Sequence, residues 1–457
     1  MKKAVVLLLL FAAGGFWQKI AAQDFPAFKM LRYDEDYHFL QNDTTAHWYK
    51  NLKYSHFGKN RNNFRSFGGE LRWQYQFYKN EEWGDAPPDD DGFLYLRNLF
   101  HADFHFGKKV RLFAQMKSNF MAGRPQPPRQ IDENQLDLHQ FFSDFSFGKW
   151  LARAGRQEFL FGSQRIVAVR EGPNNRQTFD AARLIRQSAR FRADAFLARA
   201  VTDRPGIFDD GIAPPGPSLW GLYTVTREVR FLKNVDLYYL GFYTENAVFD
   251  DGRGRERRHS FGTRIWGKGG AWQYDGEALY QFGDFLDKKI NAYTASLHLR
   301  HTLTGVKNQP VLGLKTEVIS GDRAHDDAAL QTFNPLFPRG AYFGLAALIG
   351  PANLLDLHPS IEWPLTKNWV LGADYDIFWR HRLADGIYGP NVRPIYSGRN
   401  TSARHIGNQL GANLSWEPNA HLSLQIEATW FDAGRYLREV SAGKDVFFAA
   451  VTVQFKY

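Results

Sequence analysis

The chain has 457 residues, 16% of them aromatic (39 Phe, 20 Tyr, 13 Trp), no cysteine and a formal net charge of +9. A mean hydropathy of -0.44 excludes a bundle of membrane helices, and beyond the N-terminus no apolar run approaches the roughly 20 residues such a helix needs. Rich in aromatics yet polar on average, the composition fits a barrel whose strands alternate lipid-facing and water-facing side chains.

Lys2 and Lys3 precede an apolar stretch from Ala4 to Phe16, with small residues at Ala21 and Ala22. This pattern predicts a secretory signal peptide over residues 1–22, cleaved before Gln23. Residues 23–64 are polar and aromatic without alternation, and read as a periplasmic or lumen-lining segment. They are too few for the plug domain of a siderophore-type transporter.

From residue 65 to 457 the chain repeats one unit: an alternating run, a tight turn, a second run and a longer polar stretch. Leu94, Leu96, Phe100, Ala102, Phe104 and Phe106 share one parity, and Arg97, His101, Asp103 and His105 the other. After Gly107-Lys108-Lys109, Val110, Leu112, Ala114 and Met116 are expected to face lipid, with Arg111, Gln115 and Lys117 inward. Further short turns are expected at Gly148-Lys149, Leu232-Lys233-Asn234, Gly267 to Gly270, Pro364 to Asn368 and Glu417 to Ala420. Trp369 to Trp379 is an alternating run with an aromatic at each end, as interfacial girdles require. The last strand places Phe447, Ala449, Val451, Val453, Phe455 and Tyr457 on one face.

Counting such runs predicts an all-β fold: a closed antiparallel transmembrane barrel of about 18 strands, an even number as single-chain bacterial barrels require. If the short turns are periplasmic, the outer loops fall near 79–92, 118–133, 161–177, 202–217, 245–257, 283–289, 320–352, 383–404 and 434–444. The predicted location is the outer membrane of a Gram-negative cell, with its lipid as the surrounding solvent. A barrel of this size encloses an aqueous lumen unless loops obstruct it.

One stretch stands apart. Gly155-Arg156-Gln157-Glu158-Phe159-Leu160-Phe161-Gly162-Ser163-Gln164-Arg165 runs on through Arg170-Glu171-Gly172-Pro173-Asn174 to Arg176, Phe179-Asp180 and Arg183. It resembles the signature of the alginate export family of outer-membrane porins. Tyr33 to Tyr37, Gly68 to Arg72, Leu99 to Asp103 and the C-terminal strand are similar to that family as well. The resemblance implies a monomeric channel for an anionic polysaccharide or oligosaccharide, passing through an arginine-lined constriction. It implies periplasmic export proteins as partners if the channel exports, and periplasmic uptake proteins if it imports.

The physics of such a pore is simple: guanidinium groups bind carboxylates through paired, charge-assisted hydrogen bonds, and a row of them raises the local anion concentration. The motif offers Arg156, Arg165, Arg170, Arg176 and Arg183, and strand parity adds Arg97, Arg111, Arg153, Arg192, Arg264, Arg300 and Arg380. Inward carboxylates are equally plentiful, at Asp103, Asp194, Glu317, Asp356, Glu362, Asp374, Asp376 and Glu427. The arginines could therefore pair with these and brace the wall. The Gly172-Pro173-Asn174 turn either ends a strand or folds into the lumen so that Arg170 and Arg176 narrow it.

Other function classes fit less well. A general or small-anion porin needs the same barrel without polymer specificity, and an adhesin or structural barrel needs it closed to ions. An outer-membrane enzyme would need a nucleophile with its base, and no nucleophile elbow is present. No cofactor motif and no zinc-spaced histidines occur. Asp89-Asp90-Asp91 lacks the alternating ligands of a calcium loop and reads as a solvated tip. The arginines form no single stripe, which disfavours nucleic acid.

Overall fold

The computed structural model describes residues 26–457 apart from 44–47, 61, 90 and 212–215. The expected signal peptide and Asp90 of the acidic triplet lie outside the described residues. Eighteen long strands follow one another along the chain. They are β1 (Phe64–Lys79), β2 (Phe93–Phe106), β3 (Val110–Ala122), β4 (Asn134–Phe147), β5 (Trp150–Gln157), β6 (Phe179–Gln187), β7 (Phe191–Ala200), β8 (Ser218–Val229) and β9 (Lys233–Phe249). The second half comprises β10 (Gly252–Gly269), β11 (Trp272–Phe285), β12 (Lys288–Thr302), β13 (Val311–Ile319), β14 (Leu354–Pro364), β15 (Trp369–Arg380), β16 (His405–Trp416), β17 (Leu422–Ala433) and β18 (Val446–Lys456).

Each strand pairs antiparallel with the next. The last returns to the first, from Glu70↔Lys456 to Lys79↔Phe447. The barrel is thus closed, and no strand edge is left with unpaired donors and acceptors in the hydrocarbon. Among the described residues no helix is long and apolar enough to cross a membrane.

Period-two alternation sorts the side chains. Phe100, Phe120, Phe141, Phe145, Leu237, Phe261 and Trp430 stand exposed on the outside, whereas Arg97, Phe113, Phe142, Asp144 and Arg153 are buried on the inside. Gly69 shows why the closing seam needs a glycine. A Cβ there would sit 2.5 Å from both the Leu99 carbonyl and the Tyr457 hydroxyl, so only a bare backbone lets the terminal tyrosine lie down.

Connections at one end span 107–109, 148–149, 188–190, 230–232, 270–271, 303–310, 365–368 and 417–421. At the other end lie the long loops 80–92, 123–133, 158–178, 201–217, 320–353, 381–404 and 434–445. Two expected loops, 245–257 and 283–289, are instead two-residue turns at 250–251 and 286–287. Alternation continues through the polar residues there: Arg255 and Arg257 point out and Glu256 and Arg258 in, in register up to Phe249↔Gly252. These strands project past the apolar band, where charged outward side chains meet water.

The interior is not an open cylinder. Residues 26–43 enter at the short-turn end, where Tyr33 lies edge-on to Phe142 at 5.3 Å and donates its hydroxyl to the Glu158 carbonyl at 2.8 Å. Arg32 donates to the carbonyls of Gly69 and Tyr457, at 3.1 and 3.0 Å. From the other end the 158–178 and 320–353 loops fold inward, and Phe159, Val167, Phe333, Phe337 and Tyr342 join the apolar core against β6 to β11.

Candidate functional site: the crossed lumen

After β5 the chain turns into the barrel because its side chains find partners there. Phe159 stacks on Phe179 at 4.9 Å, and Phe161 on Tyr223 at 4.9 Å. The Gly172-Pro173-Asn174 turn seats on β1 to β3. Arg72 donates to the Glu171 and Pro173 carbonyls, both at 2.9 Å. Asn174 donates to the carbonyls of Leu96, Phe120 and Asp132 at 3.2, 3.1 and 2.9 Å. The turn therefore folds inward.

The same loop then meets its counterpart from the far wall. Ala168 N–H donates to the Phe337 carbonyl and Phe337 N–H to the Ile166 carbonyl, both at 2.9 Å, and Arg339 N–H reaches the Gln164 carbonyl at 3.1 Å. Val167 and Phe337 form a parallel bridge. The contact is close: a Cβ on Gly340 would lie 2.4 Å from the Pro173 ring. Two loops thus join across the lumen through backbone bonds.

The arginines fall into groups. Arg97 and Arg176, with Arg72, converge on Glu70, Glu158 and Glu171. Arg97 Nε to Glu70 is 2.8 Å, Arg97 also bonds Glu171, and Arg176 Nε lies 2.8 Å from Glu158. Three guanidinium groups thus meet three carboxylates. Arg111 and Arg153 hold Asp103 and Asp144, at 2.8 and 2.7 Å, with the Arg153 guanidinium 4.1 Å above the Tyr33 ring. Arg183 and Arg192 share Asp194.

Arg165 crosses to the other wall, bonding Glu317 at 3.0 Å and Glu277 at 3.3 Å. Arg264 binds Asp275 and Asp236. Arg300 meets Glu362 at 2.7 Å in a partly exposed pair. Arg380 sits in a cage of carbonyls from Thr401, Ala403, Leu383 and Asp385. Arg156 requires a correction: it lies opposite Phe141 in register, on the outward face near the long-loop end, where it pairs with Asp180 at 2.9 Å.

Arg170 is different. Among the described residues it makes no ion pair and no hydrogen bond that would occupy its guanidinium, which lies 5.8 Å over the Phe337 ring. Its backbone is left-handed, with φ +56°, a conformation a non-glycine side chain adopts at a cost of roughly 1–3 kcal/mol. Burial lowers its pKa to about 10, opposed by the nearby Asp203 carboxylate, so it remains a cation at neutral pH. It stands where the two loops meet.

On the wall made by β12 to β16 a cavity of about 530 Å³ remains toward the short-turn end. His298, Arg300, His358, Ser360, Asp374 and Asn413 line it, together with Lys367 and Glu417 from the turns. That Arg72, Glu158 and Glu171 anchor the loop is invisible in the sequence, because their partners come from strands and loops far apart in the chain.

Closed topology, an apolar outer band and a lumen crossed by inward loops define an outer-membrane channel with short periplasmic turns. A family described as "Alginate export" matches residues 64–446, and the chain belongs to that family. No curated protein matches the sequence. Among solved structures the chain is similar to Pseudomonas aeruginosa OpdK with vanillate, at 10% identity and a TM-score of 0.58 over 88% of this chain and 100% of that one. It is also similar to OprD of the same organism, at 12% identity and 0.56 over 86% and 94%. A third is P. aeruginosa OccK2 (OpdF) in complex with glucuronate, at 10% identity and 0.53 over 88% and 99%. At these identities the likeness establishes the shared barrel.

Proposed function

We propose that this channel passes an alginate-like anionic polysaccharide or oligosaccharide as a monomer, and that Arg170 is the guanidinium that meets the solute's carboxylates. The observation that carries the reading is the contrast inside one motif. The inward arginines around it are neutralised or caged, while Arg170 is cationic, uncommitted and held in a left-handed backbone at the junction of the crossing loops. A net charge of +9 favours anions further. For a polymer to pass, the contact between Val167 and Phe337 must open.

A second reading, a porin for small anions, draws on the size of the remaining cavity, about 530 Å³, which suits one or two sugar units, and on the glucuronate bound by OccK2. Planar-bilayer conductance under a salt gradient, with oligouronates titrated in, separates the readings. The polymer reading expects an anion-favouring reversal potential and block that tightens with oligomer length. Replacing Arg170 by Ala should weaken that block roughly 10- to 100-fold, the worth of one charge-assisted hydrogen bond. Block by monouronate alone supports the small-anion porin. An unselective channel without uronate block refutes both.

A further inference from the structure

Away from the motif, three side chains on the opposite wall belong to no complete network. Asp356 and His358 share the inward face of β14, and Asp376 stands beside them on β15, which pairs through Asp356↔Phe378 and Leu357↔Ile377. One ligand atom from each lies within 4.8 Å of the others. His358 Nδ1 is 2.6 Å from Asp376 Oδ1, yet the two lack hydrogen-bond geometry, and both are buried without a partner among the described residues. Both carboxylate oxygens of Asp356 are in the same condition, and Asp356 is only 2% exposed.

Burying a carboxylate with nothing on either oxygen is strongly unfavourable, and here a second carboxylate adjoins it. The neighbouring cations are committed elsewhere. Lys315, opposite His358 in register, pairs with Glu317 at 3.3 Å, and Arg165 holds the same glutamate. One further contact orients the group: Gln409 Nε2 donates to Asp376 Oδ2 at 3.1 Å, the kind of outer bond that fixes a metal-binding carboxylate.

We propose that Asp356, His358 and Asp376 bind a first-row divalent cation of the Zn²⁺ type. Two carboxylates and an imidazole match that ion's ligand preferences, whereas Ca²⁺ and Mg²⁺ take oxygen ligands in larger number. His358 lines the cavity, so the remaining coordination positions face it and admit water or a solute oxygen. The ion neutralises the buried carboxylates and ties β14 to β15. The site stands on its own geometry, whatever the channel carries. Sequence reading passes over it because Asp356 and His358 are two apart on a strand and the third ligand comes from the next strand.

The test uses the full-length folded barrel, stripped with chelator, equilibrated with Zn²⁺, desalted and assayed for metal, with affinity measured by calorimetry. The expected result is about one equivalent retained per chain. Asp356→Asn and Asp376→Asn should each weaken binding by at least about tenfold, while Glu362→Gln, in the same cavity but paired with Arg300, leaves it unchanged. Equal binding by wild type and an Asp376→Asn, His358→Ala double variant overturns the proposal. If the variants fail to fold, Co²⁺ loaded into the wild type decides the matter. Intense visible bands of a low-coordinate site support it, and a spectrum identical to Co²⁺ in buffer refutes it.

Discussion

The two walls of this barrel solve the problem of an inward-facing strand in opposite ways. Along β1 to β7, arginines and carboxylates alternate, and nearly every one is buried and paired, sealed by the N-terminal segment through Tyr33 and by the 158–178 loop through Arg72 and Arg97. Along β12 to β16, the inward residues of the lower half are histidine, serine and asparagine with scattered charges, and they face a cavity. The first wall is a scaffold that holds a loop in place. The second lines the cavity that remains. Inward charge alone therefore does not single out a residue left free for a solute, because most inward charges here are spent on one another.

The largest effect that would break this comparison lies at Arg97, which is 0% exposed. Replacing it with Ala strands Glu70 and Glu171 without their main counter-ion, a loss of about 3–5 kcal/mol. The expected outcome is a lowered melting temperature and faster hydrogen exchange throughout the 158–178 loop. Unchanged exchange in that loop would show that Arg97 does not anchor it.

A medium effect concerns the junction of the 320–353 and 381–404 loops. Asp385 accepts from Thr332 at 2.6 Å and from Tyr388 at 2.6 Å, and the Asp322 N–H donates to it at 2.9 Å. Burial raises Asp322 to about 7, with the Asp385 carboxylate adding to the rise, and burial raises Asp385 to about 6. Both folded values exceed the ordinary 3.8. As pH climbs from about 4 to 7, the unfolded carboxyls release protons that the folded ones retain, so the junction loses stability across that window. Hydrogen exchange of both loops should quicken from acid to neutral pH, and Asp385→Asn should flatten the profile.

The smallest effect is expected on the open wall. Arg300 pairs with Glu362 while both remain partly exposed, at 31% and 53%. Replacing Arg300 by Ala should change stability by less than about 1 kcal/mol and shift the channel's ion preference only slightly. A loss comparable with that at Arg97 would erase the distinction between the walls.

The parts of this architecture legible in the sequence are those set by local rules. Alternation and turn residues place most strands and seven of the nine outer connections, because period two and Gly- or Asn-bearing turns act within a few residues. The reading fails at Arg253 to Arg258, where charges that mimic a loop continue a strand beyond the bilayer. It also leaves open whether the Gly172-Pro173-Asn174 turn folds inward, since that depends on Arg72, Leu96, Phe120 and Asp132, scattered over four elements. The pairing of the motif arginines is invisible for the same reason: Arg165 finds Glu317 across 152 residues of chain.

The most direct test of the account places a lock where the two loops meet. The chain has no cysteine, so Val167→Cys combined with Phe337→Cys creates one defined pair at the bridging residues, close enough for a disulfide. Single-channel recordings of this variant should show uronate entry and block abolished when oxidised, and regained on adding reductant. Equal conductance and equal block in both redox states would contradict the account, because the solute would then be passing by a route that the crossed loops do not control.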